Sequence, residues 1–161
     1  MASFPQVPSQ AISRHVPAPA DRRPWNAATG PVRMSESIQA FSQVLRARVP
    51  DPGWRMHLCG RLMPLRAAFA EHREHTEGEE GLYAQVINDA PRLVHAVDGL
   101  VAEHAALDSA MATLAKVAAE VSADAEALRR GALDMLDDLA RHRQRVSDVV
   151  YEAYSIDIGG E

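Results

Sequence analysis

The sequence predicts an all-α fold, an antiparallel up-down four-helix bundle behind a proline-rich N-terminal tail. Three observations carry this. From Ser35 onward alanine, leucine, arginine and glutamate dominate, apolar residues recur at alternating spacings of four and three, and no segment shows the alternation of a half-buried strand. The strong breakers, such as VPDPG at 49–53, cluster between the periodic segments rather than within them.

The elements follow in order. Residues 1–33 hold six of the ten prolines and no hydrophobic periodicity, which predicts a disordered tail. Met34 opens MSES just before the first periodic segment, so the tail also reads as a start assigned too early, with the bundle occupying 34–161. A first helix is expected over about 35–49, with Ile38, Phe41 and Leu45 on one face, ended by VPDPG. A second runs over about 54–76. Pro64 should kink it or mark its first turn, although the apolar register continues across the proline. A third starts at Pro91 and runs to about 119, and a fourth spans about 122–154 with Ser122 as its expected N-cap.

Composition bounds the function. With 161 residues, 47% apolar and 24% charged, the chain suits one domain with a sizeable core. A net charge of -5, with arginines interspersed among Asp and Glu, argues against a nucleic-acid partner. The single cysteine, Cys59, leaves no internal disulfide and no CxxC motif, which suits a cytoplasmic location. No apolar run approaches the roughly 18 to 20 residues of a transmembrane helix, so no membrane partner is expected.

The histidines are the informative residues. The seam of the third helix reads Leu93, Val97, Leu100, His104, Leu107, Met111, Leu114, and that of the fourth reads Leu128, Ala132, Met135, Leu139, His142, Val146, Val149, Ala153. The second gives Leu58, Leu62, Leu65, Phe69, His72, Thr76. Each apolar seam is interrupted by one histidine. Antiparallel neighbours place residues equidistant from a turn at one height, so His72 and His104 should be level and His142 within about 6 Å. Buried imidazoles need partners, and a shared metal satisfies three together; without thiolates, nitrogen and carboxylate donors suit iron, manganese or zinc. His75 lies nearly one turn beyond His72. Glu77, Glu79 and Glu80 are near enough to supply a carboxylate, as are Asp148 and Glu152 on the fourth helix. His57 and His95 fall off the seams and are expected at the surface, and His15 falls in the tail.

The pattern His75-Thr-Glu-Gly-Glu79 followed by Leu82-Tyr83, the Pro91-Arg-Leu93 start with its later Glu103-His104 pair, and His142 with trailing Glu152 resemble the hemerythrin-like HHE cation-binding family over roughly 54–154. The resemblance implies a hemerythrin-like bundle holding non-haem iron, mononuclear or dinuclear, through histidines and bridging carboxylates. It implies ligands among His72, His75, Glu77, Glu79, His104, His142 and Glu152, with either His72 and Glu77 or His75 and Glu79 as the working pair of the second helix. The chain departs from the family in having no histidine in 35–49 and Val146 four residues after His142.

The function expected is therefore a metal-binding bundle that binds or senses dioxygen, nitric oxide or peroxide, or handles iron. Its partners are a metal ion and a small diatomic ligand, and it reads as a binding protein more than an enzyme. A metal-free interaction module is one alternative. A di-iron oxidase or peroxidase is another, weakened because no glutamate stands three residues before His72, His75, His104 or His142.

Overall fold

A computed structural model describes residues 30–47 and 53–155. Its elements are α1 (Gly30–Arg46), α2 (Trp54–Glu77), α3 (Leu82–Asp89), a single 3-10 turn at Pro91–Leu93, α4 (Val94–Ala119) and α5 (Ala125–Ser155). No strand occurs among the described residues. The four long helices form an antiparallel bundle, and side-chain pairings fix the direction of each. Trp54 at the start of α2 donates its indole N–H to Val44 O at the end of α1, while Arg33 near the start of α1 pairs with Glu71. Arg55 at the start of α2 donates to Glu120 O and Ala123 O beyond the end of α4, and His72 meets His104 further along. On α5, Arg129 donates to Leu45 O and Arg143 to Ser35 Oγ, so α5 runs against α1. Several of these arginines satisfy carbonyls at or beyond helix C-termini, where no further helical N–H is available.

The seams are the core. Every predicted seam position of α4 is buried, as are those of α2 apart from the half-buried His72, and those of α5 through His142; the last three of α5 are half-buried. Two apolar clusters result. The larger draws on α1, α2, α4 and α5 and includes Phe41, Leu45, Phe69, Leu107, Met111 and Leu139. The smaller gathers Leu82, Tyr83, Val86, Val97 and Leu100, with Val146 and Val149 packed against it. The seam histidines lie between the two, because Phe69, Leu107 and Leu139 precede or follow them on one side and Leu100 and Val146 on the other.

Some elements differ from expectation. Helix α1 begins at Gly30, so residues 30–33 of the expected tail are helical; Pro31 fits the first turn, where its missing N–H costs nothing. The rest of the expected tail, His15 included, lies outside the described residues. Helix α2 continues through Pro64, although the proline supplies no N–H to the helix. The N-cap of α5 is Asp124 rather than Ser122: its two carboxylate oxygens accept the backbone N–H groups of Glu126 and Ala127. Helix α3 was not expected at all. It packs against α2, α4 and α5 and closes the end of the bundle beyond the histidines. No helix of the described residues is long and apolar enough to cross a membrane.

Candidate metal centre

Three imidazoles meet at one level of the bundle, each from a different helix. Ring centroids are 5.1 Å apart for His72 and His104, 5.7 Å for His72 and His142, and 4.5 Å for His104 and His142. His104 and His142 are 0% and 1% exposed. One nitrogen of each ring can be chosen so that all three lie within 4.8 Å of one another.

The hydrogen bonds fix the tautomer of two of the rings. His104 donates Nδ1–H to Glu77 Oε1 at 2.5 Å, and His142 donates Nδ1–H to Glu103 Oε2 at 2.9 Å. The proton of each neutral ring is thereby placed on Nδ1, and Nε2 is left as a bare lone pair. The Nε2 atoms of His72 and His142 are buried without any hydrogen-bond partner, and His104 Nε2 has only the Tyr83 hydroxyl at 3.4 Å. Buried polar atoms are almost always paired, so two such atoms in rings that cluster with a third imidazole mark a place built for something else.

Electrostatics favours the same protonation state. Burial pushes the His72 pKa down to about 4, with the neighbouring His104 and His142 adding to the effect. Burial likewise lowers that of His104, outweighing the bond to Glu77. Burial would raise the Glu77 carboxyl, but hydrogen bonds from His104 and Arg73 hold it below the usual range. Burial pushes the Tyr83 phenol well up, so it stays protonated. Neutral imidazole is the form that binds a cation.

The donor set fits an ion. Three atoms no more than 4.8 Å apart surround a point at most about 2.8 Å from each, so modest ring rotations reach the ~2.0 to 2.1 Å of an imidazole–metal bond. A cleft of about 300 Å³ between α4 and α5 has Glu103, Leu107, Asp138, His142 and Arg145 in its walls.

The other residues expected at the site lie elsewhere. His75 is exposed and donates Nδ1–H to Glu71 O, four residues back on its own helix. Three residues of helix separate it from His72, about 60° away from the seam. Glu79 is exposed because α2 ends at Glu77: Gly78 leaves the helix, and the 78–81 turn is closed by Gly81 N–H donating to Gly78 O. A Cβ on Gly81 would stand 2.6 Å from Thr76 O, so the turn is available only to glycine there. Glu152 is exposed, and only its backbone carbonyl is used, accepting from Arg92. Glu77 does reach the centre, but through His104. His57 and His95 are exposed, as their places off the seam imply.

Three residues at the centre appeared in the sequence patterns without a role assigned to them. Glu103 flanks the seam and reaches across to α5. Tyr83 stacks on His104 from α3 at 5.7 Å. Thr76, four residues after His72, is fully buried, and its hydroxyl donates back to His72 O. A signal for Glu103 existed in the charge pattern, since Arg145 follows His142 by three residues on the helix it faces and pairs with it.

The family model for the hemerythrin HHE cation-binding domain matches residues 33–154. Neither the comparison with curated proteins nor that with solved structures finds a significant match.

Proposed function

The chain belongs to the hemerythrin HHE cation-binding family, and from that premise we propose that it is a non-haem iron-binding bundle that binds or senses a small oxidant, dioxygen, nitric oxide or peroxide, or carries iron. The observation that carries the reading is the pair of buried, unpartnered Nε2 atoms on His72 and His142, in rings that cluster with that of His104. His72, His104 and His142 would hold the ion. A first-row ion with only three protein donors supplies open coordination positions for a small molecule.

The chain's own residues do the rest. The imidazoles stay neutral through burial and so remain ready donors. Phe69, set edge-on to His104 and stacked near His72, keeps the lower side of the layer dry. The Tyr83 O–H closes the opposite side and is positioned to donate a hydrogen bond into the centre. His75, Glu79 and Glu152 remain candidates only through the family resemblance, since each would have to leave an exposed position to take part. A single ion suits the described residues better than two, because they contain no second group of three clustered donors. The lone, half-buried Cys59 is compatible with a reducing, cytoplasmic setting.

The test is metal analysis of protein from iron-supplemented cells, with absorption spectra under air and under nitric oxide. The reading expects about one equivalent of iron per chain and a charge-transfer band that nitric oxide changes. Protein with no bound transition metal and no such band would refute it.

A further inference from the structure

The resemblance implies carboxylates that bind the metal directly, yet both carboxylates at this centre approach from the far side of an imidazole. Glu77 Oε1 accepts from His104 Nδ1 and, at 3.3 Å, from Arg73 Nε. Glu103 repeats the arrangement one helix over: Oε2 accepts from His142 Nδ1, and Oε1 is held by Arg145. Each is an arginine–carboxylate–imidazole chain, with the arginine toward solvent and the imidazole in the core. An oxygen bonded to Nδ1 lies across the ring from Nε2, so it cannot also reach an ion that Nε2 holds.

We infer that Glu77 and Glu103 are positioning residues rather than ligands, and that they turn Nε2 of His104 and His142 toward the centre by fixing the proton of each ring on Nδ1. The inference rests on the metal-binding reading for its purpose, but its geometry is a property of the metal-free protein. Local folding explains how both carboxylates come to be there. Glu77 is the last residue of α2, and the glycine turn after it leaves its side chain free to fold over the end of the helix onto His104. Glu103 precedes His104 by one residue, about 100° around α4, which aims it at α5 instead of the core. Adjacent residues on one helix thus serve two sites: His104 faces inward, and Glu103 orients the histidine of the neighbouring helix. Outer partners of this kind set ring orientation and ligand basicity, and their loss weakens metal binding by about tenfold to a hundredfold.

The experiment has two arms. The first reads the imidazole nitrogens of metal-free protein by ¹⁵N NMR at pH 8. The expected result is the Nδ1–H tautomer at His104 and His142, and loss of that preference at His142 in Glu103→Ala and at His104 in Glu77→Ala. Nε2–H at both rings of the unsubstituted protein would overturn the inference. The second arm titrates ferrous ion under nitrogen. Glu77→Ala and Glu103→Ala should lose about tenfold to a hundredfold in affinity at unchanged stoichiometry. Glu77→Gln and Glu103→Gln, which keep an acceptor oxygen, should recover to within a few-fold of the unsubstituted protein. If Glu77→Gln or Glu103→Gln instead loses the ion as completely as His104→Ala, that carboxylate is a ligand and the inference fails. Should the unsubstituted protein take up no ferrous ion, the metal reading falls on its own, and the tautomers alone decide this inference.

Discussion

Replacing His72 with Leu should make the metal-free protein more stable, which is the reverse of what removing an ordinary core residue does. His72 Nε2 is buried with no partner, and an unsatisfied buried polar atom costs about 1 to 3 kcal/mol. Because the residue is only half-buried, the lower part of that range applies, and leucine fills a similar space without the penalty. At pH 8 the variant should gain about 1 to 2 kcal/mol, seen as a rise of roughly 3 to 8 °C in the thermal midpoint. Acidification should widen the gap. The folded-state pKa of His72 is lowered to about 4 from 6.5, so the unfolded chain binds more protons between those values and the folded protein loses stability as pH falls through that window. By pH 5 this amounts to about 2 kcal/mol, a loss that the leucine variant escapes. Metal should invert the order. An ion present at a hundred times its dissociation constant stabilises the unsubstituted protein by about 2.7 kcal/mol, and a variant with two of three nitrogens should gain far less. The assay is thermal unfolding of both proteins at pH 8 and pH 5, with chelator and with ferrous ion. A metal-free variant that is more than about 1 kcal/mol less stable than its parent at pH 8 would show that the imidazole acts as an ordinary structural side chain, and the reasoning would fail.

Other substitutions test separate links. His104→Ala should abolish metal loading while leaving most of the far-ultraviolet helical signal, whereas His95→Ala, whose side chain is 96% exposed, should change neither. Metal analysis beside circular dichroism checks both. Asp124→Ala removes both acceptors at the start of α5 and should cost about 1 kcal/mol in denaturant unfolding, where Ser122→Ala should cost almost nothing. Gly81→Ala places a Cβ 2.6 Å from Thr76 O and should destabilise the fold by more than about 1 kcal/mol. Since that turn also holds the end of α2 in place, the same variant should weaken the Glu77–His104 hydrogen bond, read from the His104 tautomer.

The seams were legible because a bundle core imposes a spacing that the letters must keep. Leu58, Leu62, Leu65 and Phe69 place His72 inside on α2 for the same reason that Val97, Leu100 and Leu107 bracket His104 on α4. Equal distance from a turn then put His72 and His104 at one height and His142 within about 6 Å of it. What periodicity could not reach are residues whose place is set by something other than the seam. His75 and Glu79 matched a family spacing, but His75 lies about 60° off the seam and Glu79 falls beyond the end of the helix at Glu77. Helix α3 is eight residues between a glycine turn and a proline, too short to show a repeat. Glu103 sits at the seam's edge, where a charge usually points to water, and only its partners on α5 reveal that it does not. The start of α1 was hidden by the prolines before it.

The first helix bears most directly on how many ions the centre suits. Arg33 pairs with Glu71, and Arg143 reaches Ser35, so the start of α1 lies beside the level of His72 and His142. The side chain buried there is Met34, 3% exposed, and it belongs to the larger apolar cluster. A thioether is a weak, soft donor, poorly matched to the hard oxygen and nitrogen chemistry of the family's carboxylate sites. Two further positions point the same way. Four residues after His72 stands Thr76, whose hydroxyl is spent on its own backbone, and four after His142 stands Val146. At these three positions, on α1, α2 and α5, the described residues offer an apolar or already bonded group in place of a free donor.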